Sequence, residues 1–177
     1  AALIPSTNPT STVMFKAISS LKSRNGIVAS PHPKAVNCTL EAVKVIKEAA
    51  IKAGAPEGLI QCMTIPTLEG TDALMKDPNI AVILATGSNA MVKAAYSSGK
   101  PAYGVGAGNV PAFIERTANI TKAVADIITG KTFDNGTLCS SEQAIIVDRP
   151  IKEKVLEEAQ KRGCYFVSPE EKKKLEQ

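Results

Sequence analysis

Short, apolar, β-branched runs alternate with amphipathic stretches of helical spacing along almost the whole chain. That alternation leaves few folds open, because strand–helix–strand units at this spacing build a parallel sheet wound on both faces by helices. Ile27-Val28-Ala29 reads as a buried strand, and the turn Ser30-Pro31-His32-Pro33 leads from it into a helix of roughly Lys34 to Ala53. Along that helix Leu40, Val43, Ile46, Ala50 and Ile51 recur at helical spacing, and Gly54 with Pro56 stops it. Leu59 to Ile65 is a second strand, and Thr67 to Met75 a short helix closed by Asp77-Pro78. Ile80 to Ala85 is continuously apolar, as an inner strand of a parallel sheet should be. A helix from Ser88 to Ser98 and a strand from Ala102 to Val105 follow.

Beyond Gly108 the rhythm continues with strand Ala112 to Glu115, helix Ile120 to Lys131, strand Gln143 to Asp148 and helix Ile151 to Arg162. The stretch Gly104-Val105-Gly106-Ala107-Gly108-Asn109 separates the two halves and reads as an inter-domain crossing. The expectation is therefore an α/β protein. A Rossmann-like, doubly wound parallel sheet over residues 1–108 precedes part of a second α/β domain over 109–177.

Composition narrows the function classes. The hydrophobic share of 44% and charged share of 21% are those of an ordinary globular protein. A net charge of +4, scattered apart from Lys172-Lys173-Lys174, offers no nucleic-acid patch, and Glu170-Glu171 beside that triplet makes it a solvated helix face. With no Trp, three Tyr and four Phe there is little for bases to stack on. No run approaches the roughly 18 apolar residues of a membrane span. Cys38, Cys62, Cys139 and Cys164 lie far apart and the chain has one His, which argues against a zinc site and for reduced thiols in the cytosol. The chain opens Ala-Ala-Leu-Ile-Pro and closes in a charged, helix-like run, which reads as an internal fragment.

Three stretches bear on chemistry. Ala85-Thr86-Gly87-Ser88 joins an apolar strand directly to a helix, and Gly there lets an anionic group approach the free N–H groups and positive dipole end of the helix. Many αβ proteins use such a Gly only to turn the chain. Gly104-x-Gly106-x-Gly108 resembles a dinucleotide fingerprint superficially, but its third Gly comes one residue early and Pro111 with an extended run follows instead of a helix. Last, Cys139 lies on the polar loop Thr132-Phe133-Asp134-Asn135-Gly136-Thr137-Leu138-Cys139-Ser140-Ser141-Glu142-Gln143, between a helix and a strand. A loop Cys among Ser and Thr is accessible and reactive more often than a Cys on an apolar element, as Cys38 and Cys62 are expected to be. An incidental surface thiol is the competing reading. A protease-like pair would need His32, about a hundred residues upstream.

Taken together these segments resemble the aldehyde dehydrogenase superfamily, in its CoA-acylating branch. The resemblance rests on Ile4 to Ser11, Ser30 to Pro33, Ile83 to Gly87, Met91 to Pro101, Gly104 to Pro111 and Phe133 through Cys139, in the expected order over nearly the whole chain. It implies that Cys139 is the nucleophile, attacking a short-chain aldehyde. The resulting oxyanion is held by the Cys139 N–H and by a side chain from Thr7-Asn8, where a gap-free count puts Thr7 at the family's Asn position and Asn8 one residue away. It implies NAD as cofactor, with the pyrophosphate near Thr86, Gly87 and Ser88 and further contacts at Pro31, His32 and Gly106. A thioester on Cys139 then passes its acyl group to coenzyme A.

Two departures carry information. Hydrolytic members place a general-base Glu six residues before the Pro matching Pro111, and Val105 stands there. Only Lys100 and Tyr103 are ionisable between Gly99 and Glu115, so the thioester should persist until a thiol arrives. Where many hydrolytic members have a ribose-binding Lys, this chain has Ser30. The alternatives left open are a hydrolytic aldehyde dehydrogenase releasing a free acid and a non-catalytic nucleotide-binding fragment. The resemblance further implies a homo-oligomeric, bacterial, cytoplasmic parent without nucleic-acid or membrane partners, a bacterial microcompartment being the other location. A fused alcohol dehydrogenase and the identity of the aldehyde stay open.

Overall fold

The computed structural model describes residues 1–176. It divides into two units, Ala1–Ala107 and Gly108–Gln177. The first runs β1 (Ala2–Ile4), α1 (Pro9–Lys22), β2 (Ile27–Pro31), α2 (Val36–Lys52), β3 (Ile60–Cys62), α3 (Leu68–Lys76), β4 (Ile83–Thr86), α4 (Asn89–Tyr96) and β5 (Ala102–Val105). All five strands pair parallel, in the order β3-β2-β1-β4-β5. The chain works outward from β1 to one edge, then returns past β1 to build the other. Strand order thus reverses between β1 and β4, where open α/β sheets form a crevice at their carboxyl ends.

The winding follows from alternation along the central strand. Ala2 and Ile4 point into a cluster with Val13 and Ala17 of α1, Val43 of α2, and Ile27, Ala29 and Ile60 of the neighbouring strands. Leu3 points the other way, into a cluster with Met75 of α3, Ala95 of α4, and Ile83 and Ala85 of β4. A strand buried on both faces has no polar alternation to reveal it. At three residues β1 is also too short for periodicity, so it was not expected from the sequence. Helix α1 was missed as well. Its first turn is Pro9-Thr10-Ser11-Thr12 and its buried face is Thr12, Val13, Lys16 and Ala17, so polar residues stand where an apolar stripe would announce a helix. Two expected strands are shorter than their apolar runs: Ile80 to Val82 precede β4, and Met63 to Ile65 follow β3.

Packing at the β5 edge requires glycine. A methyl group at Gly104 would stand 2.4 Å from Val92 Cγ1 and 3.0 Å from Tyr96 Cε2, and the Gly104 N–H donates to Tyr96 Oη at 3.0 Å. Helix α4 lies directly on β5, against a β-branched side chain that cannot swing away. Gly104→Ala is expected to destabilise the full-length protein by about 1–3 kcal/mol through overpacking, read as a lowered Tm.

The second unit comprises β6 (Pro111–Ile114), α5 (Ile120–Thr132), β7 (Ala144–Val147), α6 (Lys152–Lys161) and α7 (Pro169–Leu175). β6 and β7 pair parallel from Pro111↔Ala144 to Ile114↔Val147, with α5 in the crossover between them. Its core is Ile114, Val124, Ile151, Val155 and Ala159. Ser168 and Glu171 form a reciprocal capping box at α7, whose Lys172, Lys173 and Lys174 are exposed as a solvated helix face should be. Among the described residues no helix is long and apolar enough to cross a membrane.

Candidate active site

Cys139 occupies a turn in the second unit and is exposed. The turn is closed by the Ser141 N–H donating to Leu138 O at 3.1 Å, and the chain leaves it with Gln143 N–H donating to Val110 O at 2.9 Å, which starts β7 beside β6. It is entered through an uncommon conformation. Asp134, Asn135 and Gly136 have φ of 48°, 54° and 70°, three consecutive residues in the left-handed region. Thr137 fastens them by donating to both Asp134 O and Asp134 Oδ2 at 2.7 Å. Asp and Asn tolerate this region better than other residues with a Cβ, which gives Asp134-Asn135-Gly136 a local reason. Left-handed non-Gly backbone costs of order 1 kcal/mol per residue and persists only where surroundings enforce it.

The other cysteines differ. Cys62 is half-buried at the end of β3, and burial pushes its thiol up to about 11, which leaves it a thiol at neutral pH. Cys38 corrects the sequence reading. It was expected among apolar neighbours on its helix, but it lies on the outer side of α2 and is exposed. The buried side of that helix is carried by Thr39 and Val43 instead.

The remaining expected site residues lie in the first unit, most of them at the carboxyl ends of strands. Past β1, the Thr7 hydroxyl donates to Asn8 Oδ1 at 3.1 Å. That bond uses the only proton of the Thr7 hydroxyl and leaves both side-chain amide N–H groups of Asn8 free of it. Thr86 ends β4, and Ser88 is the N-cap of α4, its Oγ accepting from Met91 N–H at 3.3 Å. The Gly87 N–H donates to Val105 O at 3.1 Å and extends the β4–β5 ladder. The free N–H groups expected at this helix start are those of Asn89 and Ala90, which have no intrahelical acceptor. The surface over Gly87 is open, since a Cβ there would meet only Met91 at 3.8 Å.

Pro31 is buried at the end of β2, in register with Ile4. His32 is exposed. Its Nδ1 accepts from Lys34 N–H at 3.1 Å, so Nε2 carries the proton of the neutral ring and faces outward as a donor. Ser30 is only 4% exposed, and its hydroxyl is 2.8 Å from Thr71 Oγ1, which ties β2 to α3 in the interior. Gly106 is held close to Asn89, whose Oδ1 would lie 2.4 Å from a Cβ there and accepts from Ala107 N–H at 3.1 Å. Val105, at the end of β5, exposes an apolar side chain.

Two features escaped the sequence reading. Ile65 and Leu68, exposed at 78% and 76%, flank Thr67, the N-cap of α3, beyond the end of β3. Lys16 is 4% exposed and its Nζ donates to Leu3 O at 2.7 Å and Leu84 O at 2.8 Å, where β1 and β4 adjoin. Burial lowers this ammonium from 10.5 to about 8. A polar residue one turn after Thr12 on a buried helix face is the only signal in the sequence that could have found it.

The profile of the aldehyde dehydrogenase family matches residues 1–164. The chain is 56% identical over 172 residues to aldehyde-alcohol dehydrogenase 2 of Entamoeba histolytica, covering 97% of this chain and 20% of that protein. An acetylating aldehyde dehydrogenase from Geobacillus thermoglucosidasius is 61% identical, with a TM-score of 0.88 over 98% of this chain and 38% of that one. A propionaldehyde dehydrogenase from Rhodopseudomonas palustris, solved with bound propionyl-CoA, is 40% identical, with a TM-score of 0.85 over 94% of this chain and 37% of that one. The chain thus spans about a fifth of the length of the first of these relatives. With a doubly wound nucleotide-type sheet, a thiol presented on a turn, and a family profile covering both units, the chain belongs to the aldehyde dehydrogenase family.

Proposed function

We propose that this chain carries the nucleophile and part of the NAD site of a CoA-acylating aldehyde dehydrogenase. In this reading residues 1–108 belong to the NAD-binding domain and residues 109–177 to the catalytic domain. The observation that carries the proposal is Cys139, an exposed thiol on a turn fastened at both ends, in a chain with Val105 where hydrolytic relatives keep their base.

The residues present fit a dinucleotide. The open surface over Gly87 and the first-turn N–H groups of α4 suit a pyrophosphate. Exposed Ile65 and Leu68 offer apolar contact, and His32 Nε2–H offers a donor. When bound, NAD+ takes up the hydride released by the adduct. Cys139 contributes the rest. Its thiolate attacks the aldehyde carbonyl carbon, a C–S bond forms, and the oxygen becomes an oxyanion held by the Cys139 N–H. Collapse of the adduct leaves a thioester on Cys139. The thiol of coenzyme A then attacks that carbonyl and Cys139 departs as thiolate. The relatives' names support this reading, since they act on aldehydes and one was solved with propionyl-CoA bound.

The test is NADH formation from a short aldehyde by the full-length protein, with and without coenzyme A. Turnover is expected to require the thiol; equal rates without it would make the enzyme hydrolytic. Val105→Glu should raise the CoA-independent rate by on the order of 10²-fold, the usual effect of a positioned general base, as seen by free acid accumulating beside NADH.

A further inference from the structure

Glu142 is the second carboxylate of the Cys139 loop, and it is placed unlike the first. Asp134 is engaged by the Thr137 hydroxyl at 2.7 Å. Glu142 Oε2 is buried and accepts no hydrogen bond among the described residues, and the adjacent Ser141 hydroxyl, on a side chain 3% exposed, is likewise buried and unpartnered. The carboxylate lies over the last turn of α5, with Oε2 and Oε1 at 2.6 Å and 2.7 Å from the point where a Cβ on Gly130 would stand. Only glycine at position 130 admits it there.

This arrangement contributes nothing to stability that an apolar residue would not supply better. A buried carboxylate oxygen without a donor carries a desolvation penalty, and the C-terminal end of a helix is the wrong pole for a negative group. What it does accomplish is mechanical. The arm leaving the Cys139 turn is held by its backbone at Val110, and the Glu142 side chain packs over Gly130 without a hydrogen bond, so the arm is in contact with α5 as well. We propose that Glu142, seated over Gly130, is a positioning residue that sets the orientation of Cys139 for attack on the aldehyde. The inference rests on Cys139 being the nucleophile.

The experiment uses the full-length enzyme and reads the pre-steady-state burst of NADH, which reports attack by Cys139, together with Tm. Glu142→Ala removes the carboxylate. Gly130→Ala displaces it while leaving every loop residue in place, and Ala is a better helix former than Gly. Both are expected to slow the burst by about 10- to 100-fold, the usual effect of a misplaced reacting group, with Tm for Gly130→Ala not lowered. Glu142→Asp, one methylene shorter, should restore much of the burst in the Gly130→Ala background, since the shorter side chain clears the new methyl group. A burst rate unchanged by Gly130→Ala, or no recovery in the double variant, overturns the proposal. If Cys139→Ala itself retains the burst, the reading of Cys139 fails first. If that variant abolishes the burst while the Glu142 and Gly130 variants keep it, only the present inference fails.

Discussion

Cys139→Ala in the full-length protein is expected to eliminate the NADH burst and lower CoA-dependent turnover by about 10⁴-fold or more, the range seen when a covalent nucleophile is removed. Cys38→Ala should leave both unchanged. The control matters because exposure alone does not single out Cys139: Cys38 is exposed too, so an alkylating reagent reaches both thiols. The two differ in backbone setting. Cys38 sits inside a regular helix with its sulfur 3.3 Å from Ala35 O, whereas Cys139 stands at the tip of a turn behind three left-handed residues. Iodoacetamide inactivation followed by peptide mass mapping in a Cys38→Ala background measures the difference. Loss of activity in step with labelling of Cys139 is the expected result. Full activity after complete labelling of Cys139 would exclude it as nucleophile.

The second large effect belongs to Lys16. Its ammonium is surrounded by apolar packing and two carbonyl oxygens, and burial sets it at about 8 rather than 10.5. The folded state therefore releases this proton at lower pH than the unfolded chain does. Between these two values the unfolded chain binds more protons, so stability rises with pH there. The contribution is fully present above 10.5 and is lost as pH falls through 8. Relative to Lys16→Met, which has nothing to titrate, the wild type should gain roughly 2–3 kcal/mol between pH 7 and pH 10. Denaturation midpoints of the two full-length proteins at both pH values give the comparison. A difference that stays constant with pH would show that Lys16 keeps an ordinary pKa. Because Cys62 is the same in both proteins, its own titration near 11 cancels.

Most of the architecture was legible because most of it obeys one period at a time. α2, α4, α5 and α6 bury one stripe each, and the strands between them are short runs of mostly apolar residues. The two elements that were missed lie at the centre of the first unit. β1 is buried on both faces, and α1 turns Thr12 and Lys16 inward, so the polarity that marks a surface is used in the interior. The site divides along the same line. Cys139 announced itself through its polar loop, because a thiol set among Ser and Thr is accessible more often than one on an apolar element. The hydrogen bonds that occupy the Gly87 N–H and hold Ser30 against α3 are tertiary facts. So are the displaced carboxylate of Glu142 and the exposure of Cys38. Nothing in local spacing specifies them.

The Ser30–Thr71 bond sets a direction on how this branch can diverge. Changing Ser30 alone to the Lys of hydrolytic relatives would drive an ammonium into the space between β2 and α3 and remove one of the two partners of the Thr71 hydroxyl, the other being Thr67 O at 2.8 Å. Space for a longer side chain at position 30 has to be made in α3 first, with Thr71 made small or apolar before the strand residue changes. In the proposed reading of the cofactor site, a longer side chain at position 30 is therefore limited by the packing of a helix outside that site, and efforts to redesign the contact should begin there.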